Sequence, residues 1–155
     1  MGAMGADTYS PNTVRYMAGA DYATWRELWL SYQDFYRSEV SEEVTRRSFD
    51  HLVEQSDGMV GLVAETDDGA LVGFAHLVFH PSTWSTSTYC YLEDLFVAQP
   101  ARGSTVARQL IAAVYSEADR RQAARTYWET QEYNGAARSL YDTVAHKTSF
   151  VIYER

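Results

Sequence analysis

The sequence predicts one α/β (α+β) domain, a mixed sheet with helices on its faces, and three observations carry that prediction. At 155 residues the chain has room for a single domain and little else. Hydrophobic residues make up 46%, an ordinary globular share, and no apolar run approaches the ~20 residues of a membrane span. Segments of alternating and of three-and-four-residue periodicity follow one another in the order β α α β β β α β α β.

Residues 1–12 open with a repeated Met-Gly-Ala and read as an appended or flexible end rather than a signal peptide, leaving 13–155 as the domain. Val14 to Met17 is a first strand. Tyr22, Trp25, Leu28, Trp29, Tyr32, Phe35 and Tyr36 recur at helical spacing, with Asp21 as cap. A second helix begins near Ser41, its stripe being Val44, Ser48, Phe49, Leu52 and Val53. Met59 to Thr66 and Ala70 to Phe79 form a hairpin about Asp67-Asp68-Gly69, where glycine accepts the positive φ of a tight turn. Ser82 to Thr88 reads as a loop and Tyr89 to Val97 as a strand. After Pro100 a helix covers Ser104 to Ala124, burying Val106, Leu110, Ile111, Val114, Tyr115 and Ala118. Thr126 to Thr130 is a short strand, Asn134 to Ala145 a helix, and Ser149 to Tyr153 a closing strand.

Composition narrows the partners. Thirteen Lys and Arg against twenty-one Asp and Glu give a net charge of −8, which repels nucleic-acid phosphates and suits cationic partners. The single cysteine, Cys90, excludes an intramolecular disulfide and a Cys-based zinc site, and a cytoplasmic location is expected. His51, His76, His80 and His146 lack metal-ligand spacing, so no metal is expected and these side chains read as solvated or hydrogen-bonded.

The segment that carries chemistry is Tyr91-Leu92-Glu93-Asp94-Leu95-Phe96-Val97, followed by Pro100, Arg102-Gly103-Ser104-Thr105-Val106-Ala107 and then Leu110. A strand runs through a turn into a helix whose first N–H groups and positive dipole end suit an anion, most often phosphate. Arg102 and Arg108 can add charge-assisted contacts. One glycine is a weak signal, and an ordinary strand-to-helix turn explains it as well.

A second motif, Asn134-x-x-Ala137-x-x-Leu140-Tyr141, follows about thirty residues later, beyond a Trp-containing strand. Together the two segments resemble the paired motifs of the GNAT superfamily of acetyl-CoA-dependent N-acetyltransferases. Tyr91 to Val97 looks most like the spermidine/spermine N-acetyltransferase branch and its bacterial relatives. The resemblance spans residues 13 to 154 and implies a mixed, mostly antiparallel sheet of six to seven strands flanked by about four helices. Two positions depart from the family pattern. Thr105 stands where glycine is usual, and Ala145 to Phe150 lacks the common Gly-Phe.

The resemblance also implies roles. Acetyl-CoA would be held by Leu95, Phe96 and Val97 along the strand and by Arg102, Gly103, Ser104, Thr105, Val106 and Ala107 at the turn. Asn134 would cap its helix and contact the pantetheine arm. Tyr141 would be the general acid for the CoA thiolate, its phenol protonated at pH 7 with an ordinary pKa of about 10. Strand alternation puts Tyr91, Glu93 and Leu95 on one face and Leu92, Asp94 and Phe96 on the other. Either Glu93 or Asp94 would take the amine proton, and a bulge would change which one faces the cleft. Tyr32, Phe35 and Tyr36 would wall the acceptor site. The expected acceptor is a small, cationic, polyamine-like amine. The alternatives are an amino-acid or antibiotic amine, with Arg15, Arg37 or Arg46 binding a carboxylate, and a CoA-binding regulator without turnover. A homodimer is expected.

Overall fold

The computed structural model describes residues 13–155, so the expected end at 1–12 lies outside the described residues. Five strands, β1 (Thr13–Tyr16), β2 (Met59–Glu65), β3 (Leu71–Ser82), β4 (Ser85–Val97) and β5 (Arg125–Tyr127), form one sheet in the order β1-β2-β3-β4-β5. The first four pair antiparallel and β5 runs parallel to β4. Four helices, α1 (Tyr22–Phe35), α2 (Glu42–Glu54), α3 (Val106–Arg120) and α4 (Gly135–Val144), complete the fold.

The sheet therefore has five strands, not the six to seven expected. The predicted closing strand Ser149–Tyr153 does not form. Its Phe150, Val151, Ile152 and Tyr153 are 66–91% exposed on both alternations, so the segment has no buried face to hold it in a ladder. The predicted loop Ser82–Thr88 is instead the tip of a long hairpin that turns at Thr83-Trp84. Pro81 is tolerated there because it falls at a register shift, where its missing N–H is not needed.

Two apolar layers sandwich the sheet. On one side, Val106, Leu110 and Val114 of α3 pack on Leu77, Cys90 and Leu92, all at most 3% exposed. Each fully buried aliphatic side chain contributes roughly 1.5–3 kcal/mol. Close approach of α3 depends on Gly73, where a Cβ would meet the Phe96 carbonyl oxygen at 2.7 Å and a Leu110 methyl at 3.2 Å. On the other side, Trp25 of α1 and Phe49 and Leu52 of α2 pack on Val63, Phe74 and Phe96. The buried stripe of α2 is Thr45, Phe49 and Leu52, while Val44 is 49% exposed; Ser41 caps the helix and accepts the Val44 N–H at 3.2 Å. Asp21 does not cap α1 through its side chain. Its carboxylate takes the Ala18 N–H and the Arg15 guanidinium instead.

A buried ion cluster ties α3 to β1. Glu117, 6% exposed, accepts from Tyr16, Arg120 and Arg121 at 2.5–2.6 Å. Burial alone would raise its pKa, but the hydrogen bonds from Arg120, Tyr16 and Arg121 outweigh it and hold the carboxyl at about 2. A folded pKa below the unfolded value gives stability that is present above the unfolded carboxylate range and lost as pH falls toward about 2. Thermal unfolding of the wild type should drop along that acid limb. In Glu117→Gln the limb should flatten, and an unchanged limb would contradict the assignment.

Candidate active site

The site begins where β4 parts from β5. The parallel ladder pairs only Tyr89, Cys90 and Tyr91 with Arg125, Thr126 and Tyr127. β5 ends at Tyr127, opposite Tyr91, and β4 runs on to Val97 with one backbone edge unpaired among the described residues. A cleft of about 660 Å³ opens along that edge. Leu95, Phe96 and Val97 form its floor, Arg102 to Thr105 and Ala107 its α3 end, and Asn134, Ala137, Leu140 and Tyr141 of α4 one wall. Tyr32, Phe35 and Tyr36 of α1 form the opposite wall.

The turn into α3 is built for open N–H groups. Gly103 has φ +79, a conformation L side chains rarely adopt, and a Cβ built there meets nothing within 4 Å. Ser104 turns its hydroxyl back onto the Ala101 carbonyl, and the Val106 N–H points to Ser104 Oγ at 3.4 Å. Thr105 makes no side-chain cap bond, so its hydroxyl is available to a ligand. Arg102 clamps the end of β4 through Nε to the Val97 carbonyl at 3.0 Å and lies over the rings of Phe96 and Phe35. Arg108 reaches across to Thr143 at 3.0 Å and so ties α3 to α4.

Asn134 caps α4 as expected, accepting the Ala137 N–H at 3.3 Å. Less than two turns on, Tyr141 packs edge-on against Trp128 at 5.4 Å. Burial pushes its phenol up to about 12, with Tyr36 adding to the rise, so it stays protonated across the physiological range.

Of the residues singled out from sequence, Val106 is the one at the turn that does not line the cleft. Its side chain is fully buried under the sheet. The carboxylates are also set apart from the cleft lining, and simple alternation fails at them. His76 pairs with Asp94 and Leu77 with Leu92, so Glu93 is an extra residue in a bulge. As a result Leu92 and Leu95 share the α3 side, while Asp94 turns toward α1 and Phe96 joins the core there. Glu93 remains accessible to solvent on one side. Partial burial and the neighbouring Asp94 raise its pKa.

Asp94 is engaged on both oxygens, receiving the Tyr32 hydroxyl at 2.8 Å and His76 Nδ1 at 2.9 Å. The Trp25 indole N–H in turn meets His76 Nε2 at 3.0 Å. His76, expected from the sequence to be solvated or hydrogen-bonded, is the hydrogen-bonded kind. It is 4% exposed and part of this array. Its place on a strand otherwise rich in apolar residues is the sequence signal for that burial. Cys90 is buried and its thiol is pushed up to about 12 by burial, which fits a packing role. Of the arginines considered for a carboxylate, Arg15 is committed to Asp21 and Glu65, and Arg46 lies over Tyr22 and pairs with Asp50. Arg37 follows directly on the turn that carries Phe35 and Tyr36.

Comparison with known proteins identifies the family. The model of the acetyltransferase (GNAT) family matches residues 23–145. The chain is 36% identical over 143 residues to the D-amino-acid N-acetyltransferase HPA3 of Saccharomyces cerevisiae, covering 92% of this chain and 89% of that one. It is 28% identical to the uncharacterized N-acetyltransferase YhfO of Bacillus subtilis, over 90% of this chain and 94% of that protein. Its fold resembles the solved structure of AAC(6')-Iy in complex with the bisubstrate analog CoA-S-monomethyl-acetylneamine, with a TM-score of 0.79 at 22% identity over 92% and 96% of the two chains. With a family model over most of the chain and a named N-acetyltransferase at this identity, the protein belongs to the GNAT family and is an acetyltransferase.

Proposed function

We propose that the chain transfers the acetyl group of acetyl-CoA to the primary amine of a small cationic molecule, with Tyr141 as general acid. The observation that carries this reading is the single cleft that joins the α3 turn, the free edge of β4 and Tyr141. Open N–H groups at a helix start suit the pyrophosphate. The unpaired edge of Leu95 to Val97 offers backbone partners to the pantetheine amides and to the oxyanion that forms on attack. A phenol held protonated beside that edge can return a proton to the departing thiolate. Glu93 and Asp94 beyond the cleft floor favour a cationic acceptor, and the net charge of −8 acts in the same direction at longer range.

A second reading, an amino-acid acceptor, is favoured by the similarity to the yeast D-amino-acid enzyme. On that reading the carboxylate is received by Arg37, which follows the cleft residues Phe35 and Tyr36 in the chain and forms no ion pair among the described residues. A panel of polyamines, simple alkylamines and D- and L-amino acids, read by free thiol, separates the two. Preference for diamines supports the first reading. Preference for amino acids, abolished in Arg37→Gln, supports the second.

Two further expectations belong to the same proposal. The exposed Phe150 to Tyr153 segment is what two copies would cover as a homodimer. Light scattering at a monomer mass would overturn that. A cytoplasmic site of action suits a chain with one buried thiol and no disulfide.

A further inference from the structure

Four side chains from three elements form a continuous hydrogen-bonded array between the core and the cleft. Trp25 Nε1–H donates to His76 Nε2, which leaves the imidazole proton on Nδ1, facing Asp94 Oδ2 at 2.9 Å. Asp94 Oδ1 accepts the Tyr32 hydroxyl at 2.8 Å, and Tyr32 lines the cleft. Every donor therefore points toward one carboxylate, as an ionised Asp94 requires. Trp25 and His76 are 0% and 4% exposed, so the array is fixed by packing rather than by solvent. The aromatic stack of Trp25, Trp29 and Tyr32 along α1, with centroids 5.8 and 5.5 Å apart, holds its outer end.

We propose that Tyr32 is a catalytic residue that receives the acceptor's ammonium proton, with Asp94 behind it taking the phenolic proton and His76 and Trp25 acting as positioning residues. The step balances. The ammonium N–H bond breaks and an O–H bond forms on Tyr32 Oη, while the original Tyr32 O–H proton passes to Asp94 Oδ1. The amine is left neutral and able to attack, and the carboxyl is left uncharged until it releases the proton to solvent. The second proton lost from nitrogen after attack restores Tyr141. Tyr32 suits the relay because burial and Asp94 both disfavour its anion, so it conducts a proton without being left ionised. The inference rests on the acetyl-transfer reading, and it selects Asp94 over Glu93 as the terminal acceptor. The titratable groups facing the array are His76 on β3, Tyr91 and Glu93 on β4 and Tyr36 on α1, with Glu129 facing Glu93.

The test is the pH profile of kcat/KM for an alkylamine acceptor in wild type, Tyr32→Phe, Asp94→Asn, Glu93→Gln and His76→Leu. Without the relay only the neutral amine reacts. Tyr32→Phe should therefore lose roughly a hundredfold at about pH 7 and recover as pH rises toward the amine's pKa near about 10. Asp94→Asn should behave alike, and His76→Leu should show the same pH signature at smaller amplitude, with His76→Asn partly restored. Glu93→Gln should keep the wild-type shape. Trifluoroethylamine, already neutral near pH 7, should be acetylated by Tyr32→Phe and wild type at similar rates. Acetyl-CoA affinity and thermal stability of Tyr32→Phe are measured alongside. A loss equal at every pH, or equal for both amines, assigns Tyr32 to packing and overturns the relay alone. The pH signature appearing in Glu93→Gln and not in Asp94→Asn also overturns it. No thiol release by wild type with any amine sinks both the relay and the acetyl-transfer reading.

Discussion

Replacing Tyr141 with Phe should lower kcat by roughly a hundredfold while acetyl-CoA affinity stays within about twofold, since general acid catalysis contributes on that scale. The ring remains, so its edge-on packing against Trp128 is kept and only the hydroxyl is removed. A phenol pushed up to about 12 carries its proton throughout the working range. The wild type should therefore show no loss of activity from Tyr141 below that value. In the variant the thiolate must leave unprotonated, and acetyl donors with better leaving groups should recover rate. Single-turnover mixing with isothermal calorimetry measures both quantities. A loss of only a few-fold would return Tyr141 to the role of a wall residue.

Gly103→Val should weaken acetyl-CoA binding by at least about tenfold. A left-handed conformation costs an L residue about 1–2 kcal/mol, and a β-branched one more. At φ +79 the turn cannot keep its shape around valine and re-aims the N–H groups of residues 103 to 105. Nothing but open cleft lies within 4 Å of the added Cβ, so the fold itself should survive. Thr105→Gly is the counterpart. It should bind as well or better if the Thr105 Cβ only narrows the approach, and a clear loss would show that its free hydroxyl contributes. Unchanged calorimetric affinity in a folded Gly103→Val would contradict the placement of the pyrophosphate.

Much of this site is legible along the chain because its parts are local. Gly103 and the residues around it specify a turn, Asn134 a cap, and Tyr141 lies two turns below that cap on one helix. Local chemistry decides each of these. What fails is what depends on pairing across the sheet. The bulge at Glu93 comes from the register of β3 against β4, and it alone moves Leu95 to the side of Leu92 and turns Asp94 toward α1. Single hydrogen bonds in the array of Trp25, His76, Asp94 and Tyr32 join residues up to 62 positions apart. No periodicity records such a contact. The closing strand fails for a related reason. The apolar, β-branched run Phe150 to Tyr153 is compatible with a strand, but a strand needs an edge to pair with, and β5 offers three residues. The hairpin tip was hidden by Ser and Thr residues, which favour loops in composition yet pair well when β3 and β4 extend together.

The most direct test is to incubate the purified protein with acetyl-CoA, with and without a primary amine, and follow free thiol together with the mass of the amine. Amine-dependent thiol release matched one-to-one by N-acetylated product is expected, as is its loss in Tyr141→Phe. Tight binding of acetyl-CoA with no amine-dependent thiol, across polyamines and amino acids alike, would contradict that expectation and leave a CoA-binding protein without turnover.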